Sequence, residues 1–298
     1  MIDAGPALLA SGRAAVDRRL AELTPELPGP AGPLADCARY ALLAPGKRLR
    51  PLLTLAAAGQ FGGDPATALD PACAFEMVHA ASLILDDLPS MDDAALRRGR
   101  PAAHLAYGED VAILAAVALL SRAFGVLVGA RALSPAARVS LAERLSDAVG
   151  FDGLTAGQTR DLRERAAVTQ SAALERLNHQ KTGMLFALAA EAGARCVSQD
   201  ERAIAAAQVF GARLGAAFQI RDDLLDVEGA ESTTGKDAGQ DQGKPTFVSL
   251  LGPEGARRRI ASELEAGTVA LRSVGGRGPL DALADAVFAT DAVAVAVR

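Results

Sequence analysis

The chain is short of the residues that most often announce a function. Its 298 residues include three cysteines, three histidines, four lysines and no tryptophan. Cys37, Cys73 and Cys196 stand far apart without CxxC spacing, which argues against a disulfide framework and a structural zinc site. They read as small core residues. With 4% aromatics the platforms on which bases stack are missing, and a net charge of −5 without a basic tract argues against nucleic acid as a partner. Long apolar runs are scarce as well. The longest uncharged one, Val111 to Ser121, is about half of the roughly 20 residues a membrane span requires, and no basic, apolar leader opens the chain. The expectation is a cytoplasmic protein without a transmembrane segment.

What is present is alanine, roughly a fifth of the chain, and arginine at nearly every basic position. High helix propensity with few β-branched runs predicts an all-α fold. Helical periodicity covers Leu34 to Leu43, Leu52 to Phe61, Ala72 to Leu88, Asp110 to Ala130, Pro135 to Val149, Ser171 to Ala192, Gln199 to Val227 and Phe247 to Leu271. Gly- and Pro-bearing breakers separate these segments, none long enough to be a linker, so residues 1–298 read as one domain. Several helices are apolar nearly all round, which places them inside a large bundle or against a second chain. A homodimer is the expectation.

Two apolar helices end in acid. One runs from His79 through Asp86-Asp87-Leu to Asp92-Asp93, the other from Leu214 through Gln219 to Asp222-Asp223-Leu-Leu-Asp226. A lone Asp-Asp pair at a helix end is ordinarily a solvated cap. Two clusters of the same form on apolar helices are different, because each like-charge pair 4 Å apart costs about 1 kcal/mol in water and about 4 kcal/mol at an effective dielectric of 20. Cations between the carboxylates relieve that cost. Oxygen ligands without nearby Cys or His select a hard ion, Mg²⁺ or Mn²⁺, whose open positions suit phosphate oxygens. No EF-hand loop is present.

The four lysines each fall in a short glycine-bearing segment: Lys47 in Gly46-Lys47-Arg48-Leu49-Arg50-Pro51, Lys181 in Lys181-Thr182-Gly183, and, in the loop after the second cluster, Lys236 in Gly235-Lys236-Asp237 and Lys244 in Gly243-Lys244-Pro245. Arg97-Arg98-Gly99-Arg100 follows the first acidic cluster. Each alone reads as a solvated cation. Together they read as point charges kept for phosphate, with a helix start at Pro51 adding backbone N–H groups.

These elements, with GQTRDL (157 to 162) and FQIRDDLLD (218 to 226), resemble the trans-polyprenyl diphosphate synthase family along nearly the whole chain. The stretch EMVHAASLILDDLPSMDD is most similar to bacterial geranylgeranyl diphosphate synthases of carotenoid pathways. The resemblance implies an isoprenoid synthase-type bundle around a central catalytic cavity, with isopentenyl diphosphate and an allylic diphosphate as substrates. It implies three Mg²⁺ per site, with Mn²⁺ as a substitute, held by Asp86, Asp92, Asp222 and Asp226, with Asp87 and Asp223 supporting. It assigns Arg97, Lys181, Thr182, Gln219, Lys236 and Lys244 to the allylic diphosphate. Lys47, Arg50, His79 and Arg98 go to isopentenyl diphosphate. Replacing Lys47 is expected mainly to weaken isopentenyl diphosphate binding, and replacing Lys181, Lys236 or Lys244 mainly to slow allylic ionisation.

In the family, bulky aromatics one turn before the first acidic motif stop growth at fifteen carbons. Here Ala81 and Ser82 are small, which implies a C20 product, with Met77, Val78, Phe75 and Ala74 as candidates for the floor. A farnesyl diphosphate synthase shares every motif and is the alternative. A class I terpene cyclase needs no second diphosphate site, against which GKRLR and His79 stand. A non-catalytic subunit would have lost one acidic cluster. The C-terminus departs from the family pattern: Leu280 to Val297 lacks Lys and Arg, so closure by a basic tail is not expected, and Asp281, Asp285 and Asp291 suggest an amphipathic terminal helix.

Overall fold

The computed structural model describes residues 4–164, 170–228 and 245–289. Its helices are α1 Ala4–Leu23, α2 Gly32–Leu42, α3 Leu49–Gln60, α4 Leu69–Asp86, α5 Ala103–Tyr107, α6 Glu109–Gly129, α7 Pro135–Val149, α8 Leu154–Glu164, α9 Ser171–Asn178, α10 Met184–Val197, α11 Glu201–Glu228, α12 Phe247–Arg272 and α13 Pro279–Phe288. A two-residue hairpin, β1 Leu96–Arg97 and β2 Arg100–Pro101, interrupts them.

The two acid-tipped helices are the interior of the bundle. Helix α4 packs on α6, α3, α1 and α2, α10 bridges α3 and α11, and α12 lies along α11. Below its tip α4 is buried on every side, including Ala72, Cys73, Ala74, Phe75, Glu76, Met77 and Val78, which is why its sequence carries no polar face.

Length and hydropathy need correction. Among the described residues, Pro65–Asp86, Glu109–Gly129 and Glu201–Val227 are each long and apolar enough to cross a membrane. Counting uncharged runs missed them because isolated charges interrupt each one. Burial inside the bundle accounts for α4 and α11, where 67% and 56% of the apolar window is covered, whereas only 39% is covered in α6. Its open face carries Ile113, Leu114, Val117 and Val128.

Other differences are local. Helices α1, α5 and α8 and the hairpin lie outside the segments that periodicity marks, α5 within the breaker Gly99 to Gly108. The segment read as one helix from Ser171 is divided by a π-helical turn, His179–Gly183. Helix α12 kinks at Gly252 and Pro253. Helix α3 begins at Leu49 instead of Pro51, with Arg48 as its N-cap in the left-handed region at φ 49°. The terminal helix α13 carries Asp281 and Asp285; Asp291 lies outside the described residues.

Candidate active site

Helix α4 ends at Asp86, and the chain folds back so that the Asp92 N–H donates to the Asp86 carbonyl at 2.9 Å and the Ala94 N–H to that of Asp87 at 3.2 Å. The loop therefore returns Asp92 to the helix tip. Asp86 and Asp92 are half-buried, whereas Asp87 is 2% exposed. Burial is the main force pushing the Asp86 carboxyl up to about 6. Lys181 and Arg97 oppose it, and Asp92 and Asp87 add to it. One carboxylate thus feels the other acids of its motif and a cation from across the bundle.

Arg97 and Asp87 form a fork-to-carboxylate pair through the guanidinium Nε and Nη2. The hairpin brings Arg97 back to that position. Arg98 (φ 55°) and Gly99 (φ 74°) make its two-residue turn, and two positive φ values in succession match the twist of a tight hairpin.

On α11, Asp222 and Asp226 are one turn apart on one face, half-buried and exposed respectively. Asp223 is 5% exposed and accepts from Gln219 Nε2 at 3.1 Å. Gln219 Oε1 in turn accepts from the Thr182 hydroxyl at 3.1 Å. Asp87 and Asp223, the second acid of each pair, therefore orient neighbouring groups, while Asp86 and Asp222 are the less buried of each pair.

Lys181 comes from the π-helical turn and pairs with Asp161 of α8. Asp161 was not among the expected site residues; its place within GQTRDL was the available signal. Gly157, one turn earlier, allows the approach: a Cβ there would lie 2.4 Å from the Lys181 backbone nitrogen. Helix propensity favours Gly157→Ala by about 1 kcal/mol, but overpacking costs about 1–3 kcal/mol. The clash wins, and a lowered urea midpoint with slower turnover is expected. An unchanged midpoint would refute the close packing.

The remaining cations gather on the other side. Lys47 is exposed, with Nζ 5.3 Å from the centre of the Phe218 ring, and the Arg50 guanidinium lies 4.7 Å from that of Phe186. Arg50 is half-buried as a residue, yet its Nε is sealed from solvent and has no hydrogen-bond partner among the described residues. Burial pulls it down to about 10, with Glu76 and Asp222 opposing and Arg98 assisting. His79 is held well below the usual histidine range by burial, then by Arg50 and Arg98, so the ring is neutral at pH 7. Arg50, His79 and Arg98 thus lie within one another's field, Lys47 reaches the Phe218 ring 5.7 Å from that of Phe186, and Arg50 senses Asp222 of the second helix. Lys236 and Lys244 lie outside the described residues.

Ser82 is half-buried on the side of α4 that holds His79 and Asp86, and its hydroxyl donates to the His79 carbonyl at 2.9 Å. Ala81 is fully buried, about 100° away around the helix. Below His79 the helix is closed: Val78 is 1% exposed, and Met77, Phe75 and Ala74 are 0% exposed.

The family model described as Polyprenyl synthetase matches residues 32–266. The chain belongs to the polyprenyl synthetase family. This synthetase is 46% identical over 265 residues to the geranylgeranyl diphosphate synthase of Pantoea ananas, covering 88% of this chain and 85% of that one. It is also 43% identical over 263 residues to the farnesyl diphosphate synthase of Geobacillus stearothermophilus, covering 87% and 88%. Its structure superposes with a TM-score of 0.83 on the geranyltransferase of Helicobacter pylori, solved with magnesium and isoprenyl diphosphate; identity is 30%, and 95% and 97% of the two chains are covered.

Proposed function

We propose that this synthetase condenses isopentenyl diphosphate with an allylic diphosphate and releases geranylgeranyl diphosphate. The supporting observation is that two acid-tipped apolar helices each face the other half's cation, Asp86 with Lys181 and Arg50 with Asp222. Such a site accepts two diphosphates above a dry apolar helix face.

The acidic residues suit Mg²⁺. Their donors are oxygens, the loop after α4 returns Asp92 to Asp86, and Asp222 and Asp226 share one face of α11. Few protein ligands leave positions for water and phosphate oxygens, the coordination Mg²⁺ prefers. Asp86, Asp92, Asp222 and Asp226 would hold three such ions, or Mn²⁺ in their place. When bound, Mg²⁺ supplies Lewis-acid stabilisation of charge on the departing diphosphate.

Arg97, Lys181 and Thr182 bind the allylic diphosphate, and Asp87, Asp161 and Gln219 hold them in place beforehand. Preorganised donors of this kind stabilise the charge that develops as the carbon–oxygen bond breaks. Lys47, Arg50, His79 and Arg98 hold isopentenyl diphosphate with its double bond toward the resulting allylic cation. Attack forms the new carbon–carbon bond, and loss of a proton from the isopentenyl unit to the released diphosphate restores the double bond. Phe186, Phe218 and the apolar strip of α4 exclude water that would quench the cation.

Product length follows from depth along α4. Ser82 stands about 6 Å from Asp86 along the axis, and Val78 and Phe75 about 12 and 16 Å, so Ser82 leaves the shaft open and Val78 and Phe75 form its floor. The farnesyl alternative differs only in that depth. Incubation with isopentenyl diphosphate, each allylic primer and Mg²⁺, followed by resolution of the dephosphorylated products, tests the reading. A C20 alcohol supports it, a product stopping at C15 selects the alternative, and no condensation refutes both.

The open apolar face of α6 supports a homodimer, since Ile113, Leu114, Val117 and Val128 form one stripe on a helix otherwise packed against α4. Sedimentation should give twice 30.5 kDa, and Val117→Glu should give the monomer. A wild-type monomer at micromolar concentration would refute the assembly.

A further inference from the structure

Arg48 stands between two residues assigned to isopentenyl diphosphate, yet its donors are committed elsewhere. It is 4% exposed. Nε donates to Asp17 of α1 at 2.7 Å, Nη1 to Glu76 of α4 at 2.9 Å and Nη2 to the Ala44 carbonyl at 2.9 Å. Glu76 is 2% exposed. A buried ion pair of this kind recovers its desolvation cost only with good geometry, and is weak evidence for stability by itself. Its backbone is also unusual, because a non-glycine residue at φ 49° is sparsely populated and such strain concentrates at functional sites.

The surroundings give the pair a role. Arg98, the second arginine with positive φ, donates from Nη1 to the same Ala44 carbonyl at 3.1 Å. Its guanidinium lies so close over Gly46 that a Cβ there would be 2.6 Å from Nη1. Glu76 attracts Arg50 and Arg98 as well as Arg48. One buried carboxylate therefore sits beneath three arginines, and one carbonyl is shared by two of them. Like charges crowded in this way repel. The Glu76 carboxylate, the Ala44 carbonyl and the left-handed turn at Arg48 hold them convergent before any anion arrives.

We infer that Arg48 and Glu76 are positioning residues: their buried pair fixes Lys47, Arg50 and Arg98 in the geometry that receives the diphosphate of isopentenyl diphosphate, without touching that substrate. This rests on the assignment of those cations under the proposed function.

The test replaces the pair by apolar residues of similar volume, Arg48→Met with Glu76→Leu, so that neither member of the pair is left buried without the other. The double variant should keep its fold by circular dichroism and urea unfolding. Its KM for isopentenyl diphosphate should rise about 10²-fold, the scale of a misplacement near 1 Å, while kcat at saturation and the allylic KM stay near parental values, as expected for lost uniform binding. Arg48→Lys keeps the charge without the planar fork and should fall between the two. A folded double variant with a parental KM for isopentenyl diphosphate would overturn the inference. If the double variant fails to fold, Arg48→Lys decides: a selective rise in that KM supports the inference, and an unchanged KM overturns it. Calorimetric titration of isopentenyl diphosphate without Mg²⁺ gives the same comparison independently of turnover. If the wild type binds it but condenses nothing, the proposed function fails while the positioning role is still measured.

Discussion

Asp222→Asn and Asp86→Asn should each lower turnover about 10³-fold, about 4 kcal/mol in the barrier, with the fold retained by circular dichroism. Each change keeps the side chain's shape and removes one of the half-buried carboxylates near a helix tip. Asp223 and Asp87 are already spent on Gln219 and Arg97, so they cannot replace the lost charge. Asp93→Asn is the internal comparison. Asp93 belongs to the same acidic run but is exposed at φ 48°, a conformation Asn tolerates, so its turnover should stay near the parental value. The check is the initial rate of isopentenyl incorporation at saturating Mg²⁺ and substrates. Equal losses in all three variants would mean that the acidic run acts through net charge and not through placed ligands.

Ser82→Phe should convert a C20 product to C15. Ser82 shares the side of α4 with His79 and Asp86, and its hydroxyl is bonded to its own helix at the His79 carbonyl, so replacement removes no contact to substrate. An aromatic ring there blocks the shaft about one turn below the acidic tip. Ala81→Phe separates blocking from crowding. Ala81 is fully buried, so the same ring costs about 1–3 kcal/mol of overpacking and reaches the shaft only by displacing the helix. Chromatography of the dephosphorylated products reads both variants. If neither alters the product distribution, α4 does not set the length.

The acidic tips of α4 and α11 were legible because a charge on an otherwise apolar helix has few physical excuses. The same contrast made the lysines legible. Helix α8 was not, since LTAGQTRDLRE has no apolar stripe, and it is held by the backbone approach of Gly157 to Lys181, a contact with no signature in periodicity. Helix α1 mixes Arg and Asp among its leucines, and only packing against α3, α4 and α13 reveals its buried Val16 and Leu20. Within GKRLR, composition could not separate the three cations. Burial does: Lys47 is exposed, Arg50 is sealed at Nε beside Phe186, and Arg48 is turned inward on Glu76.

The π-helical turn at His179–Gly183 fixes a length as well as a charge. An i→i+5 turn holds one residue more than an α-turn, so α9 and α10 are out of phase by one position. Each can then bury its own apolar side, Leu174 and Leu177 on one and Leu185, Phe186 and Leu188 on the other. Winding those same residues into one regular α-helix would swing all of α10 about 100° around its axis. Phe186 would leave Arg50, and Gly193 would leave α3. The tightening of a single turn would thus disturb both halves of the cavity at once.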